Sequence, residues 1–231
     1  MTHSAFALAH ALDMPEGEPW GGLVILHGAG SRKENHADMA AAAAAAGLAT
    51  VRFDMRGHGD SGGLLDGRAI DDVAAAAALL PAGLPVALRG SSMGGYLALV
   101  SATAAGAAAV VAVCPAHAPL LARGLRTGEL EVAADTGALE ALLAAHPLEP
   151  AVAGLAIPVL LQHAAADERV PVAGSRALAA RLRHPASRLD VAPGGDHRFV
   201  QHDRAAQDAA LAWLRDVVGQ PVRRSGAHGS P

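Results

Sequence analysis

One serine in this chain has the sequence surroundings of a catalytic nucleophile. Ser92 is the centre of G-S-S-M-G at residues 90–94, which matches the pattern G-x-S-x-G. In a nucleophile elbow this pattern joins an apolar strand directly to a helix, and residues 85–89 (P-V-A-L-R) and 96–105 (Y-L-A-L-V-S-A-T-A-A) have those characters. The pattern recurs around Ser61, but with loop-like sequence on both sides. Ser92 is therefore the predicted nucleophile, and Ser61 is the weaker candidate.

An acid and a base follow Ser92 in a suitable order. A serine hydroxyl needs a histidine to take its proton, and an acidic residue holds that histidine in the correct tautomer. Asp167 comes shortly after the apolar run V-L-L-Q-H, and His197 follows R-L-D-V, so each lies just after a predicted strand. Glu168 is the alternative acid and His202 the alternative base.

Two backbone N–H groups are candidates for stabilising an oxyanion. Such donors must point at the negative charge of a tetrahedral intermediate. Met93 lies at the head of the predicted helix, and Ala29 lies in L-H-G-A-G after an early strand, with Gly30 as the alternative. We expect His27 to orient this loop rather than to transfer protons. The loop completes neither G-x-G-x-x-G nor a Walker lysine, so a phosphate loop is not predicted.

Composition and charge exclude several classes of protein. The chain has 231 residues, 52% hydrophobic and 17% charged, which is enough for a substantial core. The net charge of -4 excludes a nucleic-acid binder that acts through bulk positive charge. The single cysteine, Cys114, excludes a disulfide framework and a cysteine-based zinc site, and the 12 histidines form no H-E-x-x-H spacing. We expect no metal, no organic cofactor and no nucleic-acid partner.

The chain has no convincing targeting or membrane-spanning segment. Residues 1–13 contain neither Lys nor Arg and only a short apolar stretch, which makes a poor signal peptide. Residues 90–122 also lack charged side chains, but Gly106 divides them into a helix-length piece and a strand-length piece. These features predict a cytoplasmic, soluble protein without a membrane partner, and they leave homo-oligomerisation open.

Short apolar runs alternate with helix-length segments along the chain. Continuous apolar runs are typical of parallel strands that are covered by helices on both faces. Strands are predicted at residues 23–27, 49–53, 86–89, 109–113, 158–162 and 187–191, and helices at 36–46, 69–80, 93–105, 174–183 and 199–218. This order predicts an α/β fold with a doubly wound, mostly parallel sheet.

Local signals complete the predicted domain organisation. Asn35 is predicted to cap the first helix, and Gly47 to follow it in a left-handed conformation. Residues 115–157 are too long for a simple crossover and contain four prolines around the helix-like A-L-E-A-L-L-A-A, which predicts a small inserted helical cap. The prediction is one domain over residues 1–218 with a frayed tail at 219–231.

Five motifs together resemble those of the α/β-hydrolase family over roughly residues 20–218. They are, in order, L-H-G-A-G, R-F-D-M-R-G-H-G-D-S-G, G-S-S-M-G-G, A-D-E-R-V-P-V and G-G-D-H-R-F. The resemblance implies the α/β-hydrolase fold and a triad of Ser92, His197 and Asp167. It also implies that the second motif, which includes His58, shapes the loop beside the oxyanion site and takes no direct part in catalysis.

Within this family the chain is similar to the small-cap serine hydrolases. These include dienelactone-hydrolase-like proteins, short-chain esterases of the feruloyl-esterase type and monoglyceride-lipase-like enzymes. Dienelactone hydrolases place a cysteine, and haloalkane dehalogenases and epoxide hydrolases an aspartate, where this chain has Ser92. The resemblance therefore implies hydrolysis of a small-molecule carboxylic ester. A small apolar pocket formed by the cap, which is rich in Leu and Ala, suggests a short or medium acyl chain.

The chain also departs from its larger relatives, and several alternatives stay open. About 22 residues precede the first predicted strand, which suggests the loss of one early antiparallel strand. Six aromatic residues offer little surface for an aromatic acyl group. The cap is predicted to supply the acyl pocket, and Arg123 and Arg126 either meet an acidic group or are solvated. Thioester hydrolysis, amide or peptide hydrolysis, acyl transfer and a non-catalytic binding role are the alternatives.

Overall fold

A single seven-stranded sheet organises the chain. The computed structural model describes residues 8–130 and 132–219. The strands are β1 (His10–Asp13), β2 (Gly21–Leu26), β3 (Leu48–Phe53), β4 (Val86–Ser91), β5 (Ala109–Val113), β6 (Val159–Ala164) and β7 (Arg188–Ala192). Their order across the sheet is β1-β3-β2-β4-β5-β6-β7, and all neighbours are parallel except β1 and β3. The predicted doubly wound α/β fold is confirmed.

Helices cover both faces of the sheet. They are α1 (Ala37–Ala45), α2 (Ala69–Ala77), α3 (Met93–Ser101), α4 (Ala118–Thr127), α5 (Thr136–Ala145), α6 (Leu148–Gly154), α7 (Val172–Ala179), α8 (Phe199–His202) and α9 (Arg204–Val218). Buried residues of α1 and α9 pack on one face, and those of α2 and α3 on the other. Both faces of the central strands are therefore buried, which explains their continuous apolar runs.

The strand order places a crevice between β2 and β4. After β2 the chain adds β3 on one side and then returns to add β4 on the other side of β2. In open α/β sheets, ligands bind where the order reverses in this way, outside the carboxyl ends of the strands. The loop after β2 and Ser92 after β4 both lie at this point.

Three helices of the described residues lie between β5 and β6. The buried leucines of α4 and α5 (Leu121, Leu139, Leu142 and Leu143) belong to the same apolar cluster as α3. A short parallel bridge between Leu65 and Ala134 joins this insertion to the loop after β3. The helices lie where the sequence predicts a cap, and its role as a cap stays a prediction.

The first strand is not predicted from the sequence. β1 contains only four residues, H-A-L-D, and they are half-buried or exposed because the strand lies at the edge of the sheet. It has no continuous apolar run to reveal it. Residues 1–7 lie outside the described part of the chain, so the expected loss of an early antiparallel strand stays a prediction.

One helix end agrees with the sequence prediction, and two differ from it. Gly47 has φ +90°, so the predicted left-handed residue after α1 is confirmed. The predicted Asn35 cap is wrong, because Asn35 lies inside a 3₁₀ helix (Lys33–His36) and its amide binds Ser31 Oγ at 3.1 Å. The predicted last helix is interrupted at Asp203, whose carboxylate accepts from Ala206 N at 2.9 Å and begins α9.

The structure bears on the predicted location and on the predicted tail only in part. Among residues 8–130 and 132–219, no helix is both long enough and apolar enough to cross a bilayer. The cytoplasmic location stays a prediction. Apart from Gly219, the predicted tail at 219–231 lies outside the described residues.

Candidate active site

Ser92 lies on a strained turn between β4 and α3. Its φ of +55° and ψ of -116° are unusual for a residue with a side chain, and such a conformation costs about 1–3 kcal/mol. The turn is held because Ser92 N donates to Val113 O at 2.9 Å and Ser92 O accepts from Ala116 N at 3.1 Å. This is the strand–turn–helix context of a nucleophile elbow.

The two outer glycines of the elbow are required by close backbone packing. A Cβ atom at Gly90 would collide with the carbonyl of Gly94. A Cβ atom at Gly94 would collide with the carbonyls of Leu26 and His27 at the end of β2. The pattern G-x-S-x-G thus reflects the contact of the elbow with itself and with the neighbouring strand.

Asp167 and His197 form a hydrogen-bonded pair. His197 Nδ1 donates to Asp167 Oδ2 at 2.7 Å. The Asp167 side chain is fully buried, and its other oxygen accepts from Arg169 N at 3.0 Å and from Val170 N at 2.8 Å. With Nδ1 engaged, Nε2 of His197 is the ring nitrogen left for substrate.

The pKa of Asp167 is held below its ordinary range. Burial alone would raise this pKa, but the nearby His163 ring, with Nε2 3.4 Å from Oδ2, and the hydrogen bonds from His197 and from the Val170 N–H stabilise the charged form more strongly. The carboxylate therefore stays ionised at neutral pH and accepts the proton of His197 Nδ1 without taking it.

His163 is a residue of the site that sequence reasoning missed. Its fully buried ring donates from Nε2 to Val170 O at 2.8 Å, and Nδ1 lies 2.7 Å from Ser175 Oγ. The same Nε2 is 3.4 Å from Asp167 Oδ2. The ring thus braces the loop that carries the acid. A histidine that follows the apolar residues of β6, four residues before Asp167, was the available signal.

Cys114 also borders this pair. The ligand atoms of Cys114, Asp167 and His197 all lie within 4.8 Å of one another. Burial raises the pKa of the Cys114 thiol to about 12. Because metal ligation needs the thiolate, this trio of donor atoms is poorly suited to hold a metal ion at neutral pH.

The predicted oxyanion donors lie beside the nucleophile. A Cβ atom at Gly28 would be 3.3 Å from Ser92 Cβ, so the loop after β2 runs against the elbow. Ala29 lines the same cavity as Ser92, and Met93 is the first residue of α3, where N–H groups lack intrahelical partners. Gly30 also lines the cavity and remains the alternative to Ala29.

His27 is built into the backbone of this loop. Its Nδ1 donates to Gly28 O at 2.7 Å, and its Nε2 accepts from Met55 N at 3.0 Å. Burial lowers the pKa of His27 to about 4. A neutral ring with both nitrogens engaged can orient the loop but has no free site for proton transfer.

The R-F-D-M-R-G-H-G-D-S-G motif forms a charged brace under the loop. Asp54 accepts from the backbone N–H and the ammonium of Lys33, at 2.7 and 2.8 Å. Lys33 Nζ also binds Asp60 Oδ2 at 2.7 Å. His58 packs edge-on to His27, with ring centroids 4.8 Å apart, and is not among the residues that line the cavity.

Ser61, the second serine in a G-x-S-x-G pattern, has a structural environment. Its buried hydroxyl donates to Asp54 O at 2.7 Å and accepts from Ala9 N at 2.9 Å. It therefore ties residues just before β1 to the loop after β3. Ser61 is not among the residues that line the cavity containing Ser92.

We expect Ser61→Ala to affect stability more than activity. The buried carbonyl of Asp54 and the partly buried N–H of Ala9 lose their partner, which should lower the free energy of unfolding by about 1–3 kcal/mol. The turnover number kcat should fall less than about tenfold, because the hydroxyl has no role in acyl or proton transfer. Urea unfolding and steady-state kinetics measure the two effects. A loss of kcat as large as that of Ser92→Ala would identify Ser61 as the nucleophile.

A cavity of about 810 Å³ joins these elements. Ser92 and His197 both line it. Its apolar wall includes Ala116, Leu120, Leu121, Leu130 and Val170, and its polar wall includes Ser31, Asn35, Arg169, Arg198, Gln201 and His202. Of the two alternatives for the cap arginines, the structure favours solvated surface charges, because neither Arg123 nor Arg126 lines the cavity and the exposed Arg126 binds Glu140 at 3.1 Å.

The alternative acid, Glu168, and the alternative base, His202, do not have the positions of Asp167 and His197. Glu168 is exposed and is not among the cavity-lining residues. His202 lines the cavity, but its Nδ1 binds Asp38 Oδ2 at 2.9 Å, on the side of α1. The structure thus brings Ser92 and His197 to one cavity, with Asp167 behind His197, and separates Glu168 from them.

A buried arginine joins the nucleophile strand to the helix after His197. Arg89 on β4 is fully buried, and its Nη2 donates to Gln201 O in α8 at 3.0 Å. Gln207 Nε2 donates to the same carbonyl at 3.0 Å. Burial lowers the pKa of Arg89 to about 10, so it remains a cation at neutral pH. Arg89 therefore helps fix α8, which begins two residues after His197.

Comparison with known protein families identifies one sequence family. The sequence model of the family described as serine aminopeptidase, S33, matches residues 17–134, just over half of the chain. No curated protein matches the chain.

Several solved structures have the same fold. Est1E from Butyrivibrio proteoclasticus, with ferulic acid bound, is 23% identical with a TM-score of 0.76, over 92% of this chain and 96% of that one. The monoacylglycerol lipase of Paleococcus ferrophilus is 19% identical with a TM-score of 0.72, over 90% and 98%. The esterase domain of a Rhodothermus marinus protein is 27% identical with a TM-score of 0.70, over 90% and 92%.

Proposed function

Since this chain belongs to the serine aminopeptidase S33 family of α/β-hydrolase enzymes, we propose that it hydrolyses a small-molecule carboxylic ester with Ser92 as nucleophile. One observation carries the proposal. Ser92, on its strained turn, shares a cavity with His197, whose Nδ1 is 2.7 Å from the buried carboxylate of Asp167. This is the set of groups that acyl transfer through a serine requires.

The reaction follows from these positions. His197 Nε2 takes the proton of Ser92 as the hydroxyl attacks the ester carbonyl, and Asp167 stabilises the imidazolium. The N–H groups of Ala29 and Met93 bind the oxyanion of the tetrahedral intermediate. His197 then protonates the leaving alcohol, and a water molecule repeats the attack on the acyl-enzyme to release the acid.

The apolar wall of the cavity supports an aliphatic acyl group. Leu120, Leu121 and Leu130 line this wall. None of the phenylalanine, tyrosine or tryptophan residues of the described chain lines the cavity, so an aromatic acyl group would find no ring to stack on. A short or medium aliphatic chain fits this lining best.

The polar wall favours an ester over a peptide with a free amino terminus. An aminopeptidase must bind the ammonium group of its substrate, which calls for carboxylates near the nucleophile. Arg169 and Arg198 line this cavity, and Glu129 is the one carboxylate among its described lining residues. The two guanidinium groups would repel a substrate ammonium group.

A series of p-nitrophenyl esters tests the proposal. We expect kcat/KM to rise from acetate to butyrate by about tenfold or more, since each buried methylene contributes about 0.8 kcal/mol, and to fall for long chains that exceed the cavity. L-Leucine p-nitroanilide is the peptidase control and should be hydrolysed far more slowly. Faster cleavage of this amide than of any ester would contradict the proposal.

A further inference from the structure

Two arginines line the active-site cavity without a carboxylate partner. Arg169 and Arg198 are both exposed, and no side-chain ion pair involves either of them in the described part of the chain. Seven other described arginines do pair with an Asp or Glu: Arg32, Arg52, Arg56, Arg68, Arg126, Arg188 and Arg204. Two like charges on one cavity create a local positive potential that attracts an anion.

The position of these arginines assigns them to one side of the substrate. His197 must protonate the leaving oxygen, so the alcohol portion of the ester lies next to this ring. Arg198 follows His197 directly, and Arg169 follows the acid Asp167 by two residues. The lining leucines belong instead to α4 and the segment after it. We therefore expect the alcohol portion of the ester to lie beside Arg169 and Arg198.

We propose that the substrate is an ester whose alcohol portion carries an anionic group, a carboxylate or a phosphate, bound by Arg169 and Arg198. This inference rests on the proposed ester hydrolysis. A guanidinium group can donate two parallel hydrogen bonds to either anion, which gives orientation as well as attraction. Glu129, also on the cavity, opposes the anion and moderates its binding.

A pair of matched esters tests the inference. The esters 3-(butyryloxy)benzoate and its methyl ester share the acyl group and the ring but differ in charge, and 3-(butyryloxy)phenyl phosphate provides the phosphate arm. For Arg198→Gln and for Arg169→Gln, we expect the ratio of kcat/KM for an anionic ester over the methyl ester to fall about tenfold relative to wild type. Comparison with wild type cancels the intrinsic reactivity of each leaving group.

Two further variants separate a local effect from one of net charge. Arg123→Gln removes the same charge from α4 at a residue outside the cavity lining, and it should leave the ratio unchanged. Glu129→Gln should raise the ratio a few-fold, because it removes the opposing charge. Added salt should lower kcat/KM for the anionic esters more than for the methyl ester.

The outcomes distinguish this inference from the function on which it rests. A larger loss with the phosphate than with the carboxylate would support the inference and identify the anion. Equal losses for charged and neutral esters, or the same loss in Arg123→Gln, would overturn the inference while ester hydrolysis stands. Failure of wild type to hydrolyse any of the three esters would overturn both.

Discussion

Ser92→Ala should lower kcat for ester hydrolysis by at least about 10⁴-fold. The substitution removes the only atom that attacks the carbonyl, while the cavity and the two oxyanion N–H groups remain. Any residual rate should come from binding and from oxyanion stabilisation. Pre-steady-state and steady-state hydrolysis of p-nitrophenyl butyrate measure the loss, and the acyl-enzyme burst should disappear with it.

The fold should survive this change. Alanine keeps the Cβ atom that lies 3.3 Å from the Cβ position of Gly28, and it keeps the backbone hydrogen bonds of the elbow. We expect the free energy of unfolding to change by less than about 1 kcal/mol. Ser61→Ala is the matched control, since it should be less stable yet active. Wild-type activity in Ser92→Ala would remove Ser92 from the mechanism.

Asp167→Asn should lower kcat by about 10⁴-fold, through the tautomer of His197. One carboxylate oxygen of Asp167 accepts from two backbone N–H groups, so the amide nitrogen of asparagine must take the other position, facing His197 Nδ1. His197 would then accept at Nδ1 and carry its proton on Nε2. In that tautomer the ring cannot take the proton of Ser92.

Glu168→Gln provides the matched control for Asp167→Asn. It removes a carboxylate from the adjacent, exposed residue and should change kcat by less than about threefold. Equal losses in the two variants would show that the charge of the loop matters rather than the hydrogen bond to His197. Because the pKa of Asp167 is lowered, its carboxylate should not contribute to the pH dependence of activity between pH 5 and 8.

The fold was predictable because strands that are buried on both faces of the sheet have continuous apolar sequences. The strands β2 to β7 follow from apolar runs, and the helices between them follow from helix-length segments, except α4 and α6 in the cap insertion. β1 could not be predicted in this way, because an edge strand of four half-exposed residues has no such run. The break before α9 depends on a side-chain cap at Asp203, which a helical pattern over residues 199–218 conceals.

The three triad residues were predictable from the sequence, and the residues that support them were not. Ser92, Asp167 and His197 each follow a strand, so the parallel sheet brings them to one edge. His163 and Arg89 bind partners that are distant in sequence, Ser175 and Gln201, so their supporting roles become clear only in the folded chain. The polar wall with Arg169 and Arg198 arises where two loops meet, which no local pattern expresses.

The most direct test of the central claim is labelling with a fluorophosphonate, followed by intact-mass measurement and peptide mapping. This reagent reacts with a serine whose hydroxyl is activated by a neighbouring base. We predict one adduct, on Ser92, that is absent in Ser92→Ala and forms much more slowly in Asp167→Asn. An unmodified mass for folded wild-type protein, or an adduct on any other serine, would contradict the assignment of Ser92 as the activated nucleophile.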